Sequence, residues 1–176
     1  MNNQFILIGF MGAGKSYLGS RLSYLFNYNL VDIDLEIEKD EGIRIPTIFA
    51  NYGEDYFRTK ESELFKYFIQ KNQTIISCGG GLTENIENRR IIKASNSIVI
   101  FLDPEWDIIW ERIKSSDRPF VRGKNKSDVY QLWEKRIPNY LDCATVRFQN
   151  QNTIDKLLEQ LVDCHDAVQF INYLLQ

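Results

Sequence analysis

Residues 5–19 read FILIGFMGAGKSYLG, an apolar run followed by four glycines and a lone lysine. Phe5 to Ile8 has the length and apolar density of a buried strand. Leu18, Leu22 and Leu25 recur at helical spacing behind the loop, so the stretch is a strand, a glycine-rich turn and an amphipathic helix. Gly9, Gly14, Lys15 and Ser16 match G-x-x-x-x-G-K-[ST] in the strand-to-helix context that the pattern requires. Glycines let successive backbone N–H groups turn inward around a polyphosphate, and the start of the helix adds its positive end to the same anion site. The expectation is a nucleoside triphosphate held by Gly12, Ala13, Gly14, Lys15, Ser16 and Tyr17, with Lys15 reaching the β- and γ-phosphates and the Ser16 hydroxyl ligating Mg²⁺. A glycine-rich turn with no ligand is the competing reading, and a complete match between the right elements argues against it. The fate of the γ-phosphate stays open, because motors, GTPases and small-molecule kinases share the motif.

Outward from this loop, β-rich runs alternate with helical patterns. Strands are predicted at Gln4 to Ile8, Asn29 to Val31, Thr74 to Ser77, Ser97 to Leu102 and Thr145 to Phe148. Helices are predicted at Lys15 to Phe26, Glu54 to Gln70, Glu84 to Ala94, Glu105 to Ser115, Asp128 to Leu141 and Ile154 to Leu175, the last capped by Asn152 or Thr153 and packed on the sheet. Such alternation predicts an α/β fold, a three-layer α/β/α sandwich around a five-stranded parallel sheet. Two stretches interrupt it, EKDEGIRIPTIFANYGEDYF after the second strand and SSDRPFVRGKNKSD between two helices, and both are candidate working loops.

With 176 residues the chain suits one domain, 1–176. The formal charge of −3 gives no electrostatic footprint for nucleic acid or a membrane surface. Cys78, Cys143 and Cys164 are odd in number and lack metal-ligand spacing, which argues against a disulfide framework and a zinc site and for a reducing compartment. The first residues lack the pattern of a signal peptide, and no apolar run reaches membrane-spanning length. A soluble, cytoplasmic monomer is expected.

On the acceptor side, VDIDLEIE places Asp32 and Asp34 two apart and therefore on the same side of an extended chain facing the phosphate loop. One carboxylate is suited to a metal-bound water and the other to an acceptor hydroxyl and its proton. A solvated turn is the plainer reading of these residues taken alone. Arg58 and Glu61 are three apart on one helix face, where a simple ion pair also accounts for them. Gly79, Gly80 and Gly81 at a strand end allow backbone N–H groups close to a substrate. Arg136 follows in EKRIPNY. Cys78 reads as a small buried residue, Asp103 as a helix N-cap, Trp106, Trp110 and Trp133 as packing in the core or at a lid hinge, and His165 as a packing or surface side chain.

As a set, the phosphate loop, DIDLEIE, IFANYGEDYFRTKE, SCGGG, RPF and RIPNY stand in the order and spacing of the shikimate kinase family, which the chain resembles over roughly residues 4 to 148. The resemblance implies transfer of the ATP γ-phosphoryl group to the 3-hydroxyl of shikimate, a step of chorismate and aromatic amino-acid biosynthesis. It implies that Asp34, Arg58, Gly80 and Arg136 bind shikimate, both arginines on its carboxylate and Asp34 on its ring hydroxyls. It also implies that Asp32 holds Mg²⁺ through water, that Arg112 packs on the adenine, and that RPFVRGKNKSD is a mobile lid delivering Arg118. Residues of about 33–61 then form a substrate-binding insertion and residues of about 116–127 the lid, with Lys15, Asp34 and Arg118 catalytic. RFQNQNT, looser than the family's adenine-side loop, is assigned no adenine contact, and the tail beyond Val162 no role. A kinase for another small hydroxylated metabolite, gluconate-like or a nucleoside monophosphate, is the alternative within the class. A catalytically silent nucleotide-binding module is the alternative outside it.

Overall fold

In the computed structural model, which describes residues 4–149, the apolar run Phe5–Ile8 forms the middle strand of a five-stranded sheet. All four of its residues are buried, as a strand covered on both faces requires. Along the chain the elements are β1 (Phe5–Ile8), α1 (Lys15–Phe26), β2 (Asn29–Asp32), α2 (Ile33–Glu41), α3 (Ile45–Phe68), β3 (Thr74–Ser77), a 3₁₀ turn (Leu82–Glu84), α4 (Ile86–Ala94), β4 (Ile98–Leu102), α5 (Trp106–Ile113), α6 (Lys126–Cys143) and β5 (Val146–Phe148). The strand order is β2-β3-β1-β4-β5 with every pair parallel, and Phe5 stands opposite Ile75 on one side and Ile98 on the other. The chain leaves β1 for one half of the sheet and later crosses to the other. In parallel α/β sheets, ligands bind at such a reversal, beyond the carboxyl ends of the strands.

Alternate residues of the strands feed two cores. Phe5, Leu7, Ile75, Ile100 and Leu102 pack with Leu18 and Leu22 of α1. Ile6, Ile8, Ile76, Val99 and Phe101 pack with Ile37, Phe57, Phe65, Ile92 and Tyr140 from α2, α3, α4 and α6. A third cluster, Phe10, Met11, Ile109, Ile113, Val121 and Val129, takes in Trp106, Trp110 and Trp133 where the segment after α5 leaves the body. The tryptophans therefore pack as expected.

The five expected strands stand within one residue of their predicted limits. The stretch after β2 differs, because it is helical rather than a loop. Asp32 caps α2 by accepting from the Asp34 backbone N–H at 3.1 Å, which puts Asp34 on the first helical turn and not on an extended chain. α3 begins at Ile45 with Pro46 in its first turn and runs on past a break at Gly53, whose φ of 80° and ψ of 176° interrupt the helical pattern. Asp103 is not a cap; its carboxylate accepts from Arg147 Nε at 2.9 Å. The predicted helix from Ile154, its cap, Cys164 and His165 lie outside the described residues. No described helix is long and apolar enough to cross a membrane.

Gly53 sets the angle between the half of α3 that bears Phe49 and the half that bears Arg58. A Cβ there would meet nothing within 4 Å, so the cost of a side chain is confined to the backbone. Gly53→Ala is expected to lower stability by about 1–3 kcal/mol, the cost of holding an L residue in a glycine-only conformation. Urea unfolding measures it, and an unchanged midpoint would contradict the assigned break.

Candidate active site

Three strand ends meet at Asp32. Its carboxylate accepts from the Ser16 hydroxyl at 2.9 Å and the Ser77 hydroxyl at 3.1 Å, in addition to the Asp34 N–H. Ser16 opens α1 behind the loop after β1, Ser77 ends β3, and Asp34 opens α2. The phosphate loop is held by its own side chain, with Lys15 Nζ donating to the carbonyls of Gly9 at 2.8 Å and Phe10 at 3.0 Å. From α5, Arg112 Nη1 donates to the Gly12 carbonyl at 2.9 Å. A cavity of about 480 Å³ opens over the loop, lined by Gly12, Gly14, Lys15, Ser16, Tyr17, Arg112 and Arg118 and floored by Asp32, Ser77 and Cys78.

A second cavity of about 240 Å³ adjoins it, lined on one side by Phe49, Phe57, Arg58 and Glu61 and on the other by Arg118, Pro119, Phe120 and Arg136. Met11, Asp34, Leu35 and Arg118 line both cavities. Arg58 and Arg136, far apart in sequence, lie 5.2 and 5.1 Å from the centroid of the same Phe120 ring. Arg58 Nη1 donates to Glu61 at 2.7 Å and its Nε to Glu54 at 3.2 Å, and Arg136 Nη2 pairs with Glu84 at 2.5 Å. Arg136 and Glu61 are only 1% exposed. Even so, Arg58 Nη2 and Arg136 Nε are buried with no hydrogen-bond partner, and leaving charged donors unsatisfied is costly unless an anion completes them. The glycine triplet supplies the room: a Cβ on Gly81 would lie 2.5 Å from the Arg58 guanidinium carbon, and one on Gly79 would overlap the Glu61 carboxylate.

The electrostatics follow from this crowding. Burial lowers Lys15 to about 8, although Asp34 and Asp32 pull it up. Burial raises Asp34, and the Asp32 charge raises it further. Burial also pushes Glu61 up to about 7 against the opposing pull of Arg58. Cys78 is raised well above its ordinary value by burial, so its thiol stays protonated at neutral pH. These shifts arise from a crowded, mixed-charge site, the setting in which reacting groups are commonly found.

The structure thus gathers Gly12, Gly14, Lys15, Ser16, Tyr17, Asp32, Asp34, Arg58, Gly80, Gly81, Arg112, Arg118 and Arg136 around two joined cavities. Ala13 and Gly79 are buried and line neither; Gly79 instead leaves space for Glu61 and Asp34. Ser77, Phe49, Phe57, Phe120 and Glu84 are not singled out by the sequence. For Ser77 a signal exists, a hydroxyl residue ending an apolar strand beside the glycine triplet; Glu84 offers none, since its partner lies 52 residues away.

The shikimate kinase family model matches residues 11–166 of this chain. Shikimate kinase of Persephonella marina is 43% identical over 82% of the chain and 87% of its own length. A bifunctional shikimate kinase/3-dehydroquinate synthase of Thermotoga maritima is 34% identical over 81% of the chain, which spans 28% of that longer protein. Among solved structures, shikimate kinase from Acinetobacter baumannii in complex with shikimate superposes with a TM-score of 0.83 at 29% identity, over 92% of each chain.

Lys15 gives the site a stability signature. Below pH 8 the lysine is charged in both folded and unfolded chains, and the folded chain bears the cost of burying that charge. Between about 8 and the ordinary 10.5, the folded chain has released the proton while the unfolded chain keeps it, so stability rises with pH across this window. Lys15→Met is expected to melt above the parent protein at pH 7 in the absence of nucleotide, with the gap closing as pH climbs toward 10.5. A gap independent of pH, followed by thermal denaturation, would contradict the burial of this charge.

Proposed function

The chain belongs to the shikimate kinase family, and we propose that it transfers the γ-phosphoryl group of ATP to the 3-hydroxyl of shikimate with the residues gathered at its two joined cavities, in the route to chorismate and the aromatic amino acids. The observation that carries the assignment of roles is the shared boundary: Asp34 and Arg118 line both the cavity over the phosphate loop and the cavity between the arginines. A group passed from one ligand to the other crosses at that boundary.

The nucleotide occupies the larger cavity. Lys15, released from the Gly9 and Phe10 carbonyls, turns to the phosphates, whose charge returns its pKa upward. Tyr17 borders the same cavity, and Arg112 faces the adenine side while steadying the loop through Gly12. Ser16 and Asp32 present hard oxygen donors 2.9 Å apart beside the phosphate loop, which suits Mg²⁺. Among the described residues no three acidic, histidine or cysteine side chains gather to enclose a metal. Ser16 would hold Mg²⁺ directly and Asp32 would hold it through water, and the ion would supply positive charge beside the phosphate oxygens.

The acceptor occupies the smaller cavity, with its carboxylate between Arg58 and Arg136 and its hydroxyls toward Asp34, against the backbone of Gly79, Gly80 and Gly81. Two guanidinium forks with unfilled donors fit a planar carboxylate better than they fit a neutral sugar. Asp34, one of the carboxylates burial makes more basic, hydrogen-bonds the attacking hydroxyl and accepts its proton as the oxygen bonds to the γ-phosphorus and ADP departs. Arg118 is exposed and sits on the segment before α6. Its charge stabilises the transferring phosphoryl group when the lid, about 116–127, closes and excludes water. The insertion of about 33–61 frames the acceptor within a single domain, and we assign a monomeric enzyme of the cytoplasm that binds neither nucleic acid nor membrane.

Arg136→Ala tests the acceptor site. Loss of charge-assisted hydrogen bonds to a carboxylate should raise the dissociation constant for shikimate by about ten- to a hundredfold. ATP affinity should stay as in the parent protein, and Arg136→Lys should recover only part of the loss, since an ammonium lacks the planar fork. Calorimetric titration reads both ligands, and unchanged shikimate affinity in Arg136→Ala would overturn the assignment.

A further inference from the structure

We propose that Glu84 is a positioning residue for the acceptor, acting through Arg136. This inference rests on the reading of Arg136 as an acceptor-binding side chain and adds to it the group that aims its guanidinium.

Arg136 projects from the middle of α6, and a long side chain of this kind has many rotamers to lose before it can present a fixed fork. Its Nη2 forms an ion pair with Glu84 Oε1 at 2.5 Å, a contact held by charge and not by an aligned hydrogen bond, while Nε is buried without a hydrogen-bond partner. Phe10 and Phe120 border the guanidinium at 5.6 and 5.1 Å from their ring centroids, so apolar walls limit its tilt and Glu84 fixes its rotation. One prong is thereby tied to the protein, on a side chain that lines the acceptor cavity.

The turn that delivers Glu84 is itself clamped. Leu82–Glu84 form the 3₁₀ turn directly after the glycine triplet, closed by the Glu84 N–H donating to the Gly81 carbonyl at 2.9 Å. All three carbonyls of the turn are bound by side chains of α4: Leu82 by Asn88 Nδ2 at 3.2 Å, and Thr83 and Glu84 by Arg89 Nη1 at 2.6 and 3.1 Å. Arg89 is in turn paired with Asp142 near the end of α6, 3.4 Å away, so the turn and the helix that carries Arg136 are tied at a second point. A carboxylate on so constrained a backbone holds its partner in one place. The other arginine is held in a comparable way by two carboxylates, with Arg58 Nη1 donating to Glu61 at 2.7 Å and Nε to Glu54 at 3.2 Å.

A double-mutant cycle tests this. Glu84→Ala is expected to raise KM for shikimate about tenfold, as Arg136 loses the ion pair that holds its guanidinium in place. kcat and KM for ATP should stay near those of the parent enzyme, a split that general damage to the fold would not produce. Glu84→Gln, which retains an oxygen where Oε1 stands, should recover most of the loss. Combined with Arg136→Ala, Glu84→Ala should add nothing further, because the residue through which it acts is gone. If Arg136→Ala raises KM and Glu84→Ala does not, the positioning role is wrong. It is equally wrong if Glu84→Gln binds shikimate more tightly than the parent, since Glu84 would then oppose the acceptor, or if kcat and both KM values change together. If Arg136→Ala itself leaves KM unchanged, the acceptor-site reading beneath this inference fails instead.

Discussion

The Asp32 carboxylate joins the parts that make this site. Ser16, Ser77 and the Asp34 N–H all donate to it, so it ties the helix behind the phosphate loop, the end of β3 and the start of α2 into one floor. That junction exists only because β1, β2 and β3 are parallel and deliver their carboxyl ends to the same edge of the sheet. Because Asp32 also caps α2, the hydrogen bond that starts this helix fixes Asp34 at the boundary of the two cavities. Burial raises Asp34 and lowers Lys15, and the attraction between their opposite charges pulls each back toward its charged form.

Beyond this floor the acceptor cavity is organised by paired charge. Two arginines and two glutamates face one another across a glycine triplet that removes the side chains which would otherwise fill the space. Buried ion pairs contribute little net stability, because desolvation offsets most of their attraction. Their value here is geometric. Each arginine is oriented before the ligand arrives, which reduces the entropy lost on binding. Phe120, from the segment expected to be a lid, already lies against both guanidiniums and packs edge-on to Phe49 at 5.4 Å.

Much of this is legible in the sequence. The phosphate loop announces itself, because a polyphosphate cradle needs glycines and a lysine at fixed spacing between a strand and a helix, and the strands show as short apolar runs. α2 is hidden for a physical reason: its cap, Asp32, also belongs to the site, and DIDLEIE reads equally as a pair of carboxylates on a strand. α3 reads short because Gly53 breaks it, and a glycine between a tyrosine and a glutamate resembles the end of a loop. Arg58 and Arg136 stand out through the resemblance, whereas their convergence on Phe120 depends on tertiary packing that no local pattern encodes. Glu61 shows as the i,i+3 partner it is, but its burial, which moves it up to about 7, requires the fold. Glu84 belongs wholly to the fold, since nothing near it in sequence announces its partner.

If the joined cavities pass a phosphoryl group to a cyclic hydroxy acid and to neither an open-chain one nor a nucleotide, turnover must depend on how the acceptor's ring sets its carboxylate and hydroxyls together. ADP release from ATP, followed with purified protein and Mg²⁺ against shikimate, gluconate and a nucleoside monophosphate in separate reactions, measures that dependence. Release is expected with shikimate, and the other two acceptors should stay at the level of the acceptor-free reaction. Release sustained by gluconate or by the nucleotide, or release unaffected by any acceptor, would overturn this picture of the site.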